Sequence, residues 1–257
     1  MPIDIRQEAA KYYDAGRVPF EDIGFYRKQI PHPLAHILEL GCGTGRVLLP
    51  LVGHCGYIHG LDCSEAMLEI CQAKLAQADV AAEHARVELA DITDFNLSQQ
   101  FDLIIAPFRV LQNLATDVEV EGLFRAIRRH LAPGGTAILN VFHPNRDRNQ
   151  LLVDAIQPMK YEYEIPLETG SLRRYCQVRR VTAIPLVQYI DLIYRYYLQG
   201  QLIEESIMSI AMRCYYPAEF LALIEQQGFN VIGKWGGYAG EVYGEGGELV
   251  IAFMEGE

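Results

Sequence analysis

The order of apolar and polar positions divides the chain into segments with two different periods. Between residues 37 and 142, short apolar runs alternate with longer stretches in which apolar side chains recur every three or four positions. The short runs are typical of buried strands and the longer stretches of amphipathic helices. The predicted strands are Ile37–Leu40, Tyr57–Asp62, Val87–Ala90, Phe101–Ala106 and Thr136–Phe142. Such alternation predicts a mostly parallel sheet with helices on both faces.

The predicted helices carry their own start and stop signals. Ser64 is placed to cap a helix that runs through Leu75. Thr116 with Glu119 forms a capping box at the start of a later helix. We expect Pro133-Gly134-Gly135 to end that later helix and to turn the chain into the fifth strand.

Beyond residue 142 the pattern changes to the alternation expected of long strands. The positions that share one face of the first clear strand are Gln188, Ile190, Leu192, Tyr194, Tyr196 and Leu198. The turn Gln199-Gly200-Gln201 leads into a second strand, Leu202–Met212, so the pair predicts a hairpin in a three- or four-stranded antiparallel sheet. A helix from Pro217 and two further strands, Phe229–Lys234 and Leu249–Met254, then complete the pattern.

We therefore predict an α/β fold with a Rossmann-like, doubly wound sheet and an inserted antiparallel sheet after the fifth strand. The main sheet is expected to be mostly parallel, with its last strand antiparallel. The predicted divisions are an N-terminal helical cap over residues 1–35, a main domain over 36–143 and 216–257, and an insertion over 144–215. The cap should hold one or two helices between Ile3 and Ile30, broken around Gly16 and Pro19. The insertion would serve as a lid over a substrate or as the surface of a homodimer.

Composition narrows the range of partners. The formal net charge of −11 opposes binding to a phosphate backbone, so we expect a small molecule and no nucleic acid. No apolar run approaches the roughly 20 residues that a membrane span requires, and the N-terminus lacks a basic stretch followed by an apolar one. The six cysteines are scattered without zinc-like spacing. We therefore expect a cytoplasmic protein with reduced thiols, no membrane partner and no metal.

Three features at consecutive strand ends point to an adenosine ligand. The loop Gly41-Cys42-Gly43-Thr44-Gly45 follows the first predicted strand, and glycines are needed where a ligand must touch the main chain. Asp62 ends the second strand, 21 residues after Gly41, where a carboxylate can accept both ribose hydroxyls. Asp91 follows the third, where it can accept the exocyclic amine of adenine while the N–H of Ile92 meets a ring nitrogen. Each feature alone also fits a turn, a cap or close packing.

The segment Leu38-Glu39-Leu40-Gly41-Cys42-Gly43-Thr44-Gly45 resembles the signature of class I S-adenosylmethionine-dependent methyltransferases. Leu61–Leu68 resembles the D-x-S-x-x-M-L segment of that family, Ala90–Ile92 its adenine-binding element and Leu131–Gly135 its L-x-P-G-G turn. The resemblance covers Leu38 to Phe142, and Gly228-Phe229 resembles the family's closing G-F element. It implies an enzyme that transfers a methyl group from S-adenosyl-L-methionine to nitrogen or oxygen of a small molecule.

The resemblance also implies which residues hold the cofactor. Gly41 and Gly43 would approach its methionine part, and Asp62 would bind its ribose. Tyr13 would cover the cofactor from an N-terminal helix, or would simply pack that helix onto the core. The implied cofactor-binding residues are Tyr13, Glu39, Gly41, Gly43, Asp62, Met67, Asp91, Ile92 and Ala106.

The acceptor side of the site is less defined. Methyl transfer requires alignment of donor and acceptor, and a base only if the acceptor arrives protonated. His143 follows the fifth strand and is the candidate base, or else a histidine of the rim. Arg109 follows the fourth strand and would bind an anionic substrate or pair with an acid. The Asn- or Asp-Pro-Pro-aromatic element of enzymes that methylate base amines or protein glutamine is absent after that strand.

Two other functions fit part of the pattern. A strand, glycine loop, helix and acid also suit an NAD(P)-dependent oxidoreductase, but the G-x-G-x-G spacing is one residue shorter than the nicotinamide fingerprint. Asp91 also argues against that alternative. A methyltransferase-like binding protein without catalysis is opposed by the intact Gly41, Gly43, Asp62 and Asp91.

Overall fold

The computed structural model describes residues 10–15 and 21–256. These residues form two sheets, one of seven strands and one of four. The strands are β1 (His36–Leu40), β2 (Tyr57–Asp62), β3 (Ala85–Leu89), β4 (Phe101–Ala106), β5 (Leu131–Phe142), β6 (Lys160–Pro166), β7 (Ser171–Ala183), β8 (Leu186–Leu198), β9 (Gln201–Arg213), β10 (Phe229–Trp235) and β11 (Glu248–Glu255).

The seven-stranded sheet has the order β10-β11-β5-β4-β1-β2-β3. Strands β1 to β5 run parallel, and β11 is antiparallel to both β5 and β10. This arrangement confirms the predicted doubly wound sheet with an antiparallel last strand. Because β1 to β5 are parallel, their carboxyl ends meet at one edge, where ligands of such sheets bind.

Helices cover both faces of the seven-stranded sheet, and a 3₁₀ turn follows β4. The helices are α1 (Ala10–Tyr13), α2 (Ile23–Lys28), α3 (Leu48–Leu51), α4 (Glu65–Gln77), α5 (Asp117–His130), α6 (Arg148–Val153) and α7 (Pro217–Gln226), and the 3₁₀ turn is Val110–Asn113. The predicted caps are confirmed, since the Ser64 hydroxyl accepts the N–H of Met67 at 3.3 Å and Thr116 with Glu119 forms the capping box. The remainder of the helical stretch predicted from Ile3, including Gly16 and Pro19, lies outside the described residues.

The junction between α5 and β5 differs from the prediction. The helix ends at His130, before Pro133, and β5 begins at Leu131 instead of Thr136. Leu131 pairs with Phe101 of β4, and the register then shifts before Thr136 pairs with Leu103. Pro133-Gly134-Gly135 therefore forms an irregular segment near the start of β5, which suits residues that break regular ladders.

The second sheet is antiparallel, in the order β6-β7-β8-β9, and lies in sequence between β5 and α7. The tight turn between β8 and β9 uses Gln199 and Gly200, both with positive φ (50° and 81°), as two-residue hairpin turns require. One face of this sheet forms a small apolar core with Tyr12 of α1. Its buried sheet residues are Leu172, Val178, Ile190, Leu192, Tyr194 and Met208.

Two larger apolar clusters hold the seven-stranded sheet. One is centred on α5, α7 and the sheet face that carries Leu38, Ile104 and Phe253. The other lies against α2, α3 and α4 on the face that carries Ile37 and Ile105. Among the described residues, no helix is both long and apolar enough to cross a bilayer.

Candidate active site

The glycine loop after β1 has a conformation that only glycine adopts easily. Gly41 and Gly43 have φ of 70° and 53°. A Cβ on Gly41 would lie 2.5 Å from Cγ2 of Val110, so this position is also closed to larger residues by packing. A Cβ on Gly43 would meet only the Asp62 carboxylate, at 4.0 Å. The main chain at Gly43 therefore has open space in front of it, which suits close approach by a ligand.

Asp62, at the end of β2, holds the glycine loop through a hydrogen bond to its main chain. Its Oδ2 accepts the N–H of Gly43 at 2.8 Å, and its Oδ1 accepts the N–H of Ser64 at 2.9 Å. The side chain is buried, and a carboxylate has about four acceptor positions. Asp62 thus joins the glycine loop to the start of α4.

Glu39, the acid of β1 that precedes the loop, is fully enclosed. Its Oε2 has no hydrogen-bond partner among the described residues. Burial raises the pKa of the Glu39 carboxyl well above its ordinary value, and the nearby Arg46 opposes that effect. A buried, unpartnered carboxyl oxygen beside the glycine loop fits the amino group of a bound amino-acid moiety, whose positive charge would favour the ionised form.

The other proposed adenosine contacts lie at the ends of β2 and β3. Met67 is buried in the first turn of α4, and Ile92 is half-buried after β3. Asp91 is exposed, and its Oδ1 accepts the N–H and the hydroxyl of Thr93 at 2.8 and 2.7 Å. Asp91 therefore closes a turn, as the alternative interpretation of the sequence allowed. It also lies after β3, at the carboxyl edge of the sheet, where the adenine contact is proposed.

Helix α1 lies between the glycine loop and the second sheet. Asp14, next to Tyr13, accepts the hydroxyl of Thr44 at 2.6 Å and pairs with Lys74 of α4 at 2.7 Å. On the other side, the hydroxyl of Tyr12 donates to Glu204 of β9 at 2.9 Å. Half-buried Tyr13 therefore belongs to a segment that Asp14 holds against the glycine loop, and its role in covering the cofactor stays a prediction.

Arg109 lies in the loop that follows Ala106, the last residue of β4. The guanidinium of Arg109 pairs with Glu248 of β11, and its main-chain N–H donates to Oδ1 of Asn140 at 2.9 Å. The amide of Asn140 in turn donates to Glu248 at 2.8 Å. This network favours the pairing alternative for Arg109 over the binding of an anionic substrate.

The geometry around His143 argues against the predicted role as a general base. Its Nε2 lies 2.6 Å from the carbonyl oxygen of Gly246, and its Nδ1 lies 3.2 Å from that of Pro144. A base must present an unprotonated nitrogen to the acceptor. Both ring nitrogens are instead directed at main-chain acceptors, so His143 fixes the loop before β11 to the end of β5.

Sequence reasoning missed several polar residues of this region. Arg46 forms a two-pronged ion pair with buried Asp22, at 2.6 and 2.7 Å, beside Glu39. Asn140 and Glu248 complete the network around Arg109. Arg46 directly follows the glycine loop, and that proximity was the one local signal. Among the described residues, no group of His, Cys, Asp and Glu side chains has the arrangement of a metal site.

Part of this chain is similar to known methyltransferases. Residues 37–135 match the family model described as a methyltransferase domain. The chain is 29% identical over 119 residues to the dTDP-4-amino-2,3,4,6-tetradeoxy-D-glucose N,N-dimethyltransferase of Saccharopolyspora spinosa, over 46% of this chain and 45% of the relative. It is 37% identical over 126 residues to the carboxy-S-adenosyl-L-methionine synthase of Pseudomonas paraeruginosa, over 47% of this chain and 49% of the relative. The chain thus spans about half the length of the curated relatives it matches.

The fold is shared over nearly the whole chain. The solved structure of the CcbJ methyltransferase from Streptomyces caelestis superposes with a TM-score of 0.80 at 21% identity, covering 99% of this chain and 98% of that chain. Residues 37–135 therefore match a methyltransferase domain, and nearly the whole chain shares the fold of solved methyltransferases. These matches support a methyltransferase and not the nicotinamide oxidoreductase or the non-catalytic binding protein.

Proposed function

We propose that this protein transfers a methyl group from S-adenosylmethionine to nitrogen or oxygen of a small-molecule acceptor. The observation that carries the proposal is the joint geometry of the glycine loop, Asp62 and Glu39. Open main chain at Gly43, a buried carboxylate at the end of β2 and an unpartnered acid in β1 match the three polar parts of this cofactor.

The cofactor, when bound, supplies a methyl group on a positively charged sulfur that a nucleophile can attack in line. The protein's task is then alignment and exclusion of water. In this proposal Gly41, Gly43 and Glu39 hold the methionine end, with the carbonyl of Ala106 facing its amino group. Asp62 holds the ribose. Met67, Asp91 and Ile92 hold the adenine, and Tyr13 closes the site from above.

The acceptor side of the site is proposed to lie between the carboxyl edge of the main sheet and the second sheet. We keep the division into a cap over 1–35, a main domain over 36–143 and 216–257, and an insertion over 144–215. In this division the insertion roofs the acceptor or pairs two copies. Relatives named as dimethyltransferases of dTDP-amino sugars favour an amine as acceptor. An amine that arrives neutral needs no general base, in keeping with the arrangement of His143. The cytoplasm remains the compartment that we expect.

Titration calorimetry tests the cofactor assignment. S-adenosylmethionine and S-adenosylhomocysteine should bind with dissociation constants in roughly the micromolar range, and NADH should not bind. A labelled-methyl assay over amino sugars, other small amines, phenols and carboxylates then tests the acceptor class. Label in macromolecules alone would contradict a small-molecule acceptor, and tight binding of NADH alone would contradict the methyltransferase proposal.

Two matched glycine variants distinguish a loss of ligand binding at the site from a general effect of backbone strain. Gly43→Ala and Gly53→Ala both place a Cβ on a residue with positive φ (53° and 83°), so both meet similar backbone strain. A Cβ at Gly53 has no atom within 4 Å, and Gly53 lies between α3 and the start of β2, not at the carboxyl end of a strand. We expect Gly43→Ala to weaken S-adenosylmethionine binding by about tenfold or more and Gly53→Ala to leave it unchanged. Equal affinities in the two variants would contradict the assignment of the glycine loop.

A further inference from the structure

Helix α1 is held by contacts with two different parts of the molecule. It has only four residues, Ala10–Tyr13, and a helix that short is not stable by itself. The position of α1 therefore depends on the contacts that its side chains and the next residue make with the rest of the fold. One set of contacts reaches the second sheet, and the other, through Asp14, reaches the glycine loop.

The contacts with the second sheet meet at Glu204 of β9. The ammonium group of Lys11 lies 2.6 Å from Oε1 of Glu204 and donates to Oε2 at 2.8 Å, and the hydroxyl of Tyr12 donates to Oε2 at 2.9 Å. Ser206 donates to Oε1 at 3.1 Å. The ring of Tyr12 also stacks on that of Tyr194 of β8, with 6.4 Å between the ring centres. Glu204 is therefore the acceptor for two consecutive side chains of α1.

The contacts with the glycine loop are made by Asp14, the residue after α1. Its Oδ1 accepts the hydroxyl of Thr44 at 2.6 Å, and its Oδ2 lies 2.7 Å from Nζ of Lys74 in α4. Lys74 also donates to the carbonyl oxygen of Thr44 at 3.0 Å. Thr44 is buried between Gly43 and Gly45, so these two side chains hold both the side chain and the main chain of a glycine-loop residue. The segment from Lys11 to Asp14 thus connects β9 to the glycine loop.

We propose that Glu204 is a positioning residue for the cofactor, and that it acts on the glycine loop through α1 and Asp14. This inference rests on the proposed function, in which Tyr13 closes the cofactor site. Glu204 holds α1 in the place from which Asp14 reaches Thr44. A bound cofactor leaves when α1 moves away from the glycine loop, and the contacts of Glu204 oppose that movement. A residue of the second sheet therefore slows release of a ligand that it does not touch.

Surface plasmon resonance measures how fast S-adenosylhomocysteine leaves the protein, and it needs no acceptor. Glu204→Gln removes the charge that pairs with Lys11. It should speed release by about threefold to tenfold, the usual range for the loss of one partly exposed ion pair with its hydrogen bond. Glu205→Gln makes the same exchange at the next position of β9 and should keep the wild-type rate. The side chain of Glu205 points to the other face of the sheet, where it pairs with Arg195 at 2.6 Å.

The outcomes of this measurement separate the inference from the function on which it rests. A wild-type rate in Glu204→Gln, or equal acceleration in Glu204→Gln and Glu205→Gln, would overturn the positioning role. Failure of the wild-type protein to bind either S-adenosylmethionine or S-adenosylhomocysteine would instead overturn the proposed function. If circular dichroism shows that Glu204→Gln does not fold, Tyr12→Phe provides the same comparison, because it removes only the hydroxyl that Glu204 accepts.

Hydrogen–deuterium exchange tests the route through α1. In the ligand-free protein, Glu204→Gln should speed exchange in residues 10–15 and in the glycine loop, because Asp14 then holds Thr44 for less of the time. Glu205→Gln should leave both segments at the wild-type rate. A purely structural role for Glu204 would speed exchange in β8 and β9 alone, and that result would overturn the route. Asp14→Asn, which removes the charge that pairs with Lys74, should also speed release of S-adenosylhomocysteine, and an unchanged rate would contradict the route at that end.

Discussion

Asp62 accepts two main-chain N–H groups and is proposed to bind the cofactor. One substitution removes the charge of Asp62 and keeps the size of its side chain. Asp62→Asn keeps the size of the side chain but turns one of its two acceptor oxygens into a donor. The N–H groups of Gly43 and Ser64 both point at this side chain, so one of them would then face an N–H. We expect a loss of about 1–3 kcal/mol in the free energy of unfolding, together with weaker binding of S-adenosylmethionine. Urea unfolding and calorimetric titration measure the two effects.

The control for Asp62 lies on the same edge of the sheet. Asp94→Asn makes the same exchange at an exposed carboxylate and should leave stability and affinity unchanged. If Asp62→Asn bound the cofactor as tightly as the wild-type protein, Asp62 would be a purely structural residue of the β2–α4 turn.

The residues of the candidate site divide into those that local sequence reveals and those that it does not. Gly43 and Asp62 were found because each lies at the end of an apolar run, where the chain itself supplies the context. Arg109 and Glu248 are 139 positions apart, so no periodicity or local spacing connects them. The contact of His143 with the carbonyl oxygen of Gly246, 103 positions away, could not be predicted for the same reason. Pairings across such distances follow from strand order, which one sequence specifies only weakly.

At the scale of elements, the sequence predicted strand positions well because buried strands need uninterrupted apolar runs. The bounds of β2 and β4 agree with the prediction at both ends. The start of β5 does not, because Leu131 joins the strand through pairing with β4 although a proline and two glycines follow it. Cross-strand pairing thus extended an element past residues that normally end one.

The C-terminal residue of α5 makes stability depend on pH. His130 is buried against Phe95, its Nδ1 faces the carbonyl oxygen of Ala126 at 2.7 Å, and its Nε2 accepts the N–H of Leu97 at 2.9 Å. Only the neutral ring satisfies both contacts, and burial lowers the pKa of His130 below its ordinary value. The unfolded chain then takes up the proton more readily, so this contribution is complete above about pH 6.5 and is lost as the pH falls below it.

Replacement of this histidine tests the sign of that dependence. His130→Gln should flatten the fall in unfolding free energy between about pH 6.5 and pH 5, whatever its effect at neutral pH. His59, whose pKa burial also lowers, should keep part of the slope. His84→Gln, at an exposed position, should show the wild-type slope. A slope in His130→Gln as steep as in the wild type would mean that His130 does not contribute. Urea titrations at each pH provide the measurement.

At the scale of the whole molecule, the sequence indicated a second sheet but not how that sheet attaches to the first. The alternation in β8 and β9 shows which residues face inward, and it contains no information about the partner surface. Side chains that no local pattern marked contribute to this attachment. Gln112, in the turn after β4, bonds to the end of β9, and Asp117 of α5 pairs with Arg213 of β9. Glu204 of β9 accepts the hydroxyl of Tyr12 in α1.

Gln112 is the most enclosed of these connections. Its amide oxygen accepts the N–H of Phe142 at 2.7 Å, and its amide nitrogen donates to the carbonyl oxygens of Phe142 and Arg213 at 3.0 and 2.7 Å. One buried side chain therefore links the end of β5 to the end of β9. Gln112→Met has nearly the same volume and leaves all three main-chain groups without this partner. At about 1 kcal/mol for each bond, the free energy of unfolding should fall by about 3 kcal/mol.

The single tryptophan allows unfolding of the main sheet to be followed separately in the Gln112→Met variant. Trp235 lies on β10, so its fluorescence reports on the main sheet, whereas circular dichroism reports on both sheets. In Gln112→Met the two signals should separate during urea unfolding, because a weakened attachment lets the second sheet unfold first. Gln188→Met removes only a contact with the Cys214 thiol and should keep the two transitions coincident. Coincident transitions at the wild-type midpoint in Gln112→Met would show that other contacts hold the second sheet in place.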